Sequence, residues 1–238
     1  MDSTSYIAIT RQDGLRRELS AVAQNIANIS TTGYRREGVT FTEHVVALGQ
    51  GAPSVSMAHA HARHVDSTQG PLRATGGTFD FAIEGPGFFT VQGAEGVELT
   101  RAGSFTPNAE GILVAPDGAP LLDAGGAPIP VPAGAGDISL ATDGTLSANG
   151  LPVAQLVLVT PAEAEALTRR AGARFATEAE LVPVIDASLK QGFLEGSNVS
   201  PVAEIARMIE VQHAYEIGRG FADKEDERIR AVVQTLGR

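Results

Sequence analysis

Four histidines form the group of side chains in this sequence whose spacing suits a transition-metal ion. His59, His61 and His64 lie close together, and His44 lies upstream. Imidazole is a common zinc ligand, but a zinc site also needs a structured element to hold the ligands and a hydrogen bond to orient each ring. The surrounding composition indicates a solvated connector with no carboxylate placed to orient the rings. We therefore predict no metal site.

Four acidic residues are the next candidates for chemistry. Asp80, Glu84, Asp117 and Asp143 could supply the paired carboxylates of a glycoside hydrolase. They fall mainly at predicted turns or strand edges, where Asp commonly serves backbone geometry. The sequence also lacks cysteine and a Gly-x-Ser-x-Gly motif. We predict no catalytic residue and no cofactor, and a hydrolase of cell-wall glycan stays as an alternative.

The run Gly85-Pro86-Gly87 is too short a signal for a phosphate-binding loop. No helix start follows Phe89, and such a loop needs one. The glycines instead predict a tight turn between strands, with Phe88 and Phe89 divided between the core and the surface or an interface.

Composition excludes several partners. A net charge of −10 disfavours nucleic acid and anionic membranes, which attract basic surfaces. No stretch is long and apolar enough to cross a bilayer. Charged residues such as Arg11, Asp13 and Arg16 occupy the region where a leader would be apolar, so we expect no cleaved signal peptide.

The middle of the chain predicts short strands. Most of the 27 glycines and 13 prolines fall between residues 70 and 150, which disfavours long helices there. We also expect one short helix around Ala162–Arg170. The predicted strands are Phe79–Ile83, Phe88–Gln92, Val97–Arg101, Ser104–Thr106, Ile112–Val114, Ile138–Leu140, Val153–Thr160, Leu181–Ile185 and Ser188–Leu194.

Both ends of the chain predict helices with an apolar seam. The N-terminal seam is Leu15, Leu19, Val22, Ile26 and Ile29, and the C-terminal one is Ile205, Met208, Ile229, Val233 and Leu236. We expect the first helix to end near Ile29 and the second to begin at Ser200-Pro201 and run to Leu236. The fold class is α+β: long terminal helices in a coiled-coil-like inner domain, and a central antiparallel β-rich domain.

This pattern divides the chain into four parts: 1–35 (N-terminal helix of the inner domain), 36–70 (connector), 71–198 (β-rich outer domain) and 199–238 (C-terminal helix). A helix with one apolar seam needs a partner to cover it, so we expect contact between the ends or with other copies. Two alternatives stay open: the helices pack against the β body, or the chain is a carbohydrate-binding β module with helical arms, although Trp is absent.

Three separated motifs resemble one known family. Residues 23–34, from Ala23 to Tyr34, are similar to the N-terminal signature of bacterial flagellar rod and hook proteins. Gly85–Phe89 and Thr100–Phe105 resemble the family's central motifs. Gly192–Val199 followed by Met208–Glu216 resembles its C-terminal signature. The opening residues are most similar to those of proximal-rod members, with distal-rod members next.

This resemblance implies a structural protein of the flagellar basal body. Such a subunit is exported through the flagellar type III apparatus and assembles with other rod proteins and its own copies into the torque-transmitting shaft around the export channel, in the periplasm. A distal-rod or hook-type axial protein is the alternative. No nucleic acid, membrane insertion or cofactor is implied.

The seams and the resemblance together predict an assembly interface. Its residues are Leu15, Leu19, Val22, Asn25, Ile26, Asn28, Ile29, Tyr34, Ile205, Met208, Ile209, Gln212, Tyr215, Ile229, Val233 and Leu236. Asn25 and Asn28 are expected to contact neighbouring helices or backbone, although solvated side chains are the alternative. Tyr34 and Phe41 are expected to anchor the connector.

Overall fold

The computed structural model describes residues 3–46, 55–132, 134–163 and 167–236. Within its helices and strands, the side chains of 3–8, 41–46, 55–62, 222, 225, 226, 229, 232, 233 and 236 lie outside the described set. The chain divides into two compact units. The terminal unit comprises 1–27, 37–64 and 200–238, and the central unit comprises 28–36 and 65–199.

The terminal unit contains two helices and a two-stranded sheet. Its elements are α1 (Ser3–Ala27), β1 (Glu37–Val46), β2 (Val55–Val65) and α2 (Pro201–Leu236), with β1 beside β2 in the sheet and α1 packed on both α2 and β1. The helix predicted from Ser200-Pro201 to Leu236 is confirmed. Proline suits the first turn because that position needs no N–H donor, and the Glu204 N–H donates to the Ser200 carbonyl at 3.0 Å.

The central unit is built from short strands. They are β3 (Leu72–Ala74), β4 (Phe81–Glu84), β5 (Phe89–Gly93), β6 (Gly96–Thr100), β7 (Thr106–Pro107), β8 (Leu113–Val114), β9 (Ile138–Leu140), β10 (Thr145–Ala148), β11 (Leu151–Gln155), β12 (Val159–Pro161), β13 (Thr168–Arg170), β14 (Arg174–Ala176), β15 (Leu181–Pro183), β16 (Ser188–Gln191) and β17 (Phe193–Glu195).

Antiparallel pairing joins these strands into small sheets. The largest has the order β13-β14-β6-β5, and a second has the order β11-β10-β9. Four further pairs are β12-β15, β16-β4, β17-β3 and β7-β8. The prediction of an α+β fold with an antiparallel β-rich centre is confirmed.

Aromatic residues organise the core of the central unit. Phe105 contacts Phe81 and Phe89, with ring centroids 6.0 and 5.7 Å apart, inside one large apolar cluster. Phe88 instead belongs to a separate cluster with Leu99 and Phe175. The sequence placed one of Phe88 and Phe89 at a surface or interface, but both are buried, at 8% and 1% exposure. They divide between two cores because successive strand residues point to opposite faces.

Two glycines mark close backbone contacts within the central unit. A Cβ on Gly33 would lie 2.2 Å from the Ala102 backbone nitrogen, and Gly33 has φ of +67°. A Cβ on Gly103 would lie 1.6 Å from the Phe81 carbonyl oxygen. Both glycines lie in motifs that carry the family resemblance, so part of that resemblance is required by packing.

Two local predictions are wrong. Thr168–Arg170, expected to be helical, forms β13 paired with β14, and 164–166 lie outside the described residues. The segment containing His59, His61 and His64, taken as an unstructured connector, forms β2, and His44 lies in β1. Strand pairing supplies hydrogen bonds that local propensity does not predict.

Candidate functional site

The terminal unit contains an antiparallel helix pair. Asn25, near the end of α1, bonds to Glu204 in the first turn of α2. Earlier in α1, a hydrogen bond to Tyr215 raises the pKa of Arg16. Later residues of α1 therefore contact earlier residues of α2, so the two helices are antiparallel.

Asn25 is the centre of a buried polar cluster. Its Nδ2 donates to the Glu37 carbonyl at 2.8 Å and to Glu204 Oε2 at 3.1 Å, while its Oδ1 accepts the Glu37 N–H at 2.9 Å. Asn25, Glu37 and Glu204 are 0%, 3% and 1% exposed. One amide thus joins α1, β1 and α2, and buried polar groups of this kind fix a single alignment of the elements around them. Asn25 is not solvated.

A second polar contact crosses the helix pair. Arg207 Nε donates to Glu18 Oε1 at 2.7 Å, and Arg207 also pairs with Glu210 on its own helix at 3.1 Å. The hydrogen bond to Glu18 raises the pKa of Arg207. Glu18 is 8% exposed, so this pair restrains the same alignment as Asn25.

α2 has a buried face and an exposed apolar face. Glu204 and Val211, seven residues apart, are 1% and 2% exposed. At 3.6 residues per turn, Val202, Ile209 and Ile217 lie about 140–160° from Glu204 around the helix. These three side chains are 79%, 61% and 62% exposed. One face of α2 is therefore covered within the chain, and the other is not.

The predicted interface residues fall into four classes. Val22, Asn25 and Tyr34 are buried; Leu15, Leu19, Ile26, Asn28, Ile29, Met208 and Tyr215 are partly buried; Ile205, Ile209 and Gln212 are exposed; the side chains of Ile229, Val233 and Leu236 lie outside the described residues. Whether these positions bind neighbouring subunits stays a prediction. Phe41 also has a side chain outside the described set.

The central unit contains a buried ion cluster. Glu195 Oε1 lies 3.0 Å from an Arg35 nitrogen and accepts the Gly70 N–H at 2.9 Å, while Glu195 Oε2 lies 3.1 Å from Arg101. Arg35, Arg101 and Glu195 are 1%, 3% and 1% exposed. The Glu195 carbonyl also accepts the Gly33 N–H at 2.8 Å. Segments that are distant in sequence thus meet at one carboxylate.

Two guanidinium groups share that single carboxylate. Burial lowers the pKa of Arg101 to about 10, and the neighbouring charge of Arg35 lowers it as well, against the opposing effect of Glu195. Burial also lowers the pKa of Arg35. Both shifts have the same cause, because a buried cation loses its hydration. Positive charge therefore exceeds negative charge among these three residues.

Arg169 lies between two aromatic rings. Its guanidinium carbon is 4.3 Å from the Tyr34 ring centroid and 4.8 Å from that of Phe175. Its Nη2 donates to the Arg35 carbonyl. A planar cation suits this sandwich because both of its faces can stack. Arg169 thereby joins the two aromatic residues and the backbone beside the ion cluster.

Asn198 connects three loop segments of the central unit. Its Oδ1 accepts the Arg36 N–H at 2.6 Å, and its Nδ2 donates to the carbonyls of Asp66 and Thr68 at 3.1 and 2.8 Å. The Asp66 N–H donates to the Arg36 carbonyl at 2.8 Å. These bonds hold residues 35–36 beside 66–68, and they explain an asparagine in the C-terminal signature.

The carboxylates considered for catalysis have separate structural partners. Glu84 pairs with Lys190 at 2.8 Å, Asp117 with Arg174 at 2.7 Å, and Asp143 Oδ1 accepts the Thr145 N–H at 2.9 Å. Asp80 accepts a hydrogen bond from Thr75 at 2.5 Å. Lysine lowers the pKa of Glu84 and the Thr145 N–H lowers that of Asp143. A glycosidase acid needs the opposite shift.

The histidine segment is only partly described. The side chains of His44, His59 and His61 lie outside the described residues, whereas His64 is described and exposed. Among the described residues, no three His, Cys, Asp or Glu side chains group as a metal site. A bilayer-spanning helix is likewise not found in the described part of the chain.

Sequence reasoning missed the charged residues of both clusters. Arg101 and Glu195 lay inside motifs that carried the resemblance, but they received no role. Glu18 and Glu204 interrupt apolar seams, and only their helical spacing from buried neighbours could have indicated burial.

Comparisons with known proteins match the segments that meet in these clusters. Residues 6–35 match the family model described as "Flagella basal body rod protein", residues 82–148 match "Flagellar hook protein FlgE/F/G D1 domain", and residues 190–218 match "Flagellar basal body rod FlgEFG protein C-terminal". Arg35, Arg101 and Glu195 come one from each matched segment.

Curated relatives match over nearly the whole length. "Flagellar basal-body rod protein FlgF" of Caulobacter vibrioides is 40% identical, with 100% of this chain and 99% of the relative covered. The protein of the same name in Mesorhizobium japonicum is 36% identical, with 98% of each covered. "Flagellar basal-body rod protein FlgG" of Agrobacterium fabrum is 33% identical, with 97% of this chain and 98% of the relative covered.

Proposed function

This chain belongs to the family of flagellar basal-body rod proteins, and we propose that it is a structural, non-enzymatic subunit of the rod. The observation that carries the proposal is the exposed apolar face of α2. In a free chain this face, with Val202, Ile209 and Ile217, is in contact with water. A subunit of a multi-chain shaft can cover it with its neighbours.

The free energy of burying apolar side chains favours contact between this face and neighbouring subunits. Burying a Val or Ile side chain contributes roughly 1.5–3 kcal/mol, so several side chains on one helix face together offset a large ordering cost. The opposite face of α2 is already occupied by α1, and the Asn25 and Glu18 contacts hold that arrangement. The exposed face is therefore available for contact with other subunits.

We assign the inner part of the shaft to the terminal helices. In this assignment, 1–35 and 199–238 form a coiled-coil-like inner domain around the export channel, 36–70 connect it to the rest, and 71–198 form the β-rich outer domain. The partners are neighbouring copies, other rod subunits and the flagellar type III export apparatus. The site of action is the periplasmic part of the basal body.

Within the rod, we assign the chain to the proximal part. The relatives named FlgF support this assignment. A distal-rod or hook-type position is the alternative, because a relative named FlgG also matches over nearly the whole chain.

Imaging basal bodies from a deletion strain tests both levels of the proposal. If the chain belongs to the proximal rod, the deletion strain should have a rod that stops near its base, and a wild-type copy should restore the complete rod. A nearly complete rod that lacks the hook would instead assign the chain to the distal part. Normal, rotating flagella in the deletion strain would contradict the structural role.

A further inference from the structure

A cavity in the central unit lies against the buried ion cluster. Its volume is about 300 Å³, and its lining includes Arg35 and Arg101. The hydroxyl residues Ser67 and Thr160 and the apolar residue Phe88 also line it. The described lining holds no carboxylate, although the chain as a whole has a net charge of −10. We call this cavity the arginine pocket.

The charges around the pocket do not balance. Glu195 is the carboxylate bonded to Arg35 and Arg101. Asp66, the other nearby carboxylate that interacts electrostatically with Arg35, also interacts with Arg36, and Arg169 donates to the Arg35 carbonyl. Burial lowers the pKa of both Arg35 and Arg101. An added anion would therefore be attracted to the pocket.

The two arginines also retain hydrogen-bonding capacity. Arg35 Nε and Arg101 Nε are buried without a hydrogen-bond partner among the residues that the structure describes. The Arg101 Nη atoms are engaged with Glu195 and the Gly85 carbonyl. Guanidinium groups bind carboxylates through adjacent N–H groups, so these two Nε–H groups are the unused donors that an added carboxylate would need.

We propose that the arginine pocket binds an aspartate or glutamate side chain presented by a second copy of this chain. Apolar walls that include Phe88 and Leu167 suit the methylene groups of such a side chain, and the guanidinium groups suit its carboxylate. An acidic chain offers many such groups to a neighbouring copy. The proposal rests on the proposed function, because assembly brings copies together.

The first test uses the soluble full-length chain and does not require assembly. Glutamate capped at both ends is titrated while the Nε–Hε resonances of Arg35 and Arg101 are followed by NMR. Glutamine with the same caps is the matched control. We expect saturable shifts with capped glutamate and roughly tenfold weaker binding of capped glutamine, the difference between a charged and a neutral hydrogen bond. Equal responses, or none, would overturn the proposal.

A pair of variants supplies the second test. Thr160→Glu places a carboxylate in the pocket wall, and Thr160→Gln is its neutral match. We expect Thr160→Glu to abolish the response to capped glutamate and to impair swimming, while Thr160→Gln retains both. If Thr160→Glu abolishes binding but cells swim normally, docking by a second copy is wrong. If the deletion strain builds normal flagella, the rod function fails instead, whatever the titration gives.

Discussion

Asn25 and Glu204 are 179 positions apart, yet Asn25 Nδ2 donates to Glu204 Oε2 at 3.1 Å inside the terminal unit. Asn25 is 0% exposed and also bonds twice to the Glu37 backbone. A single amide therefore joins the first helix, the following strand and the last helix. Apolar contacts alone would allow these elements to slide, whereas the amide has its partners in one alignment.

We expect Asn25→Ala to destabilise the terminal unit by about 2–4 kcal/mol, because it removes three buried hydrogen bonds at once. Denaturant unfolding followed by circular dichroism measures this. Ser20→Ala, an exposed position on the same helix, is the control and should change stability by less than about 0.5 kcal/mol. Equal effects of the two substitutions would contradict the role given to Asn25.

Glu195→Gln replaces a charged side chain with an uncharged one, and it should be among the most destabilising substitutions of this kind in the central unit. It preserves size but leaves Arg35 and Arg101 without their shared carboxylate, and breaking a buried pair costs about 3–5 kcal/mol. Glu110→Gln, at an exposed turn, is the control for removing one acidic charge. Urea unfolding of both variants measures the loss in the free energy of unfolding. A loss below about 1 kcal/mol for Glu195→Gln would contradict the role given to the ion cluster.

Arg169→Lys tests the aromatic sandwich. Lysine retains the charge but cannot stack between Tyr34 and Phe175, so we expect a loss of about 1–2 kcal/mol. Arg170→Lys is the neighbouring control, because Arg170 pairs with Glu95 at the surface and should tolerate the change. Thermal unfolding compares the two. If both variants unfold like the wild type, stacking contributes nothing.

Asp66 gives a prediction for pH. A hydrogen bond from Thr68, opposed by burial and assisted by Arg36 and Arg35, lowers the pKa of Asp66 below its usual 3.8. A lowered folded-state pKa contributes stability above the usual value, and that contribution disappears as pH falls through the folded-state value. The free energy of unfolding of the wild type should therefore exceed that of Asp66→Asn by less than about 1 kcal/mol near neutral pH. Thermal unfolding measured across pH should show this stability difference becoming smaller in acid. A difference that becomes larger in acid would contradict the prediction.

The sequence predicted the elements whose signals are local. The start of α2 could be located from Ser200-Pro201, and β9 was predicted at Ile138–Leu140 as found. The strand β13 was not, because residues 162–167 have helix-favouring Ala, Glu and Leu, and the pairing with β14 depends on residues elsewhere in the chain.

The buried charges could not be predicted for a related reason. A pattern of apolar residues assigns Arg35, Arg101 and Glu195 to the surface, since charged side chains are rarely buried unless paired. Their partners lie far away in sequence, and no local spacing indicates them. The prediction of the assembly interface had the same weakness for Ile205 and Ile209. It identified apolar positions on α2 without separating the face that α1 covers from the one that it leaves exposed.

Ile209→Asp tests the central claim most directly, because Ile209 is 61% exposed in the single chain and its proposed role is contact between subunits. The control is Ile185→Asp, the same change at a 90% exposed position of the central unit. Both variants should match the thermal stability of the wild-type monomer within about 0.5 kcal/mol. We expect cells with Ile209→Asp to lose complete rods and swimming, and cells with Ile185→Asp to retain both. Complete rods and normal swimming with Ile209→Asp would contradict the account.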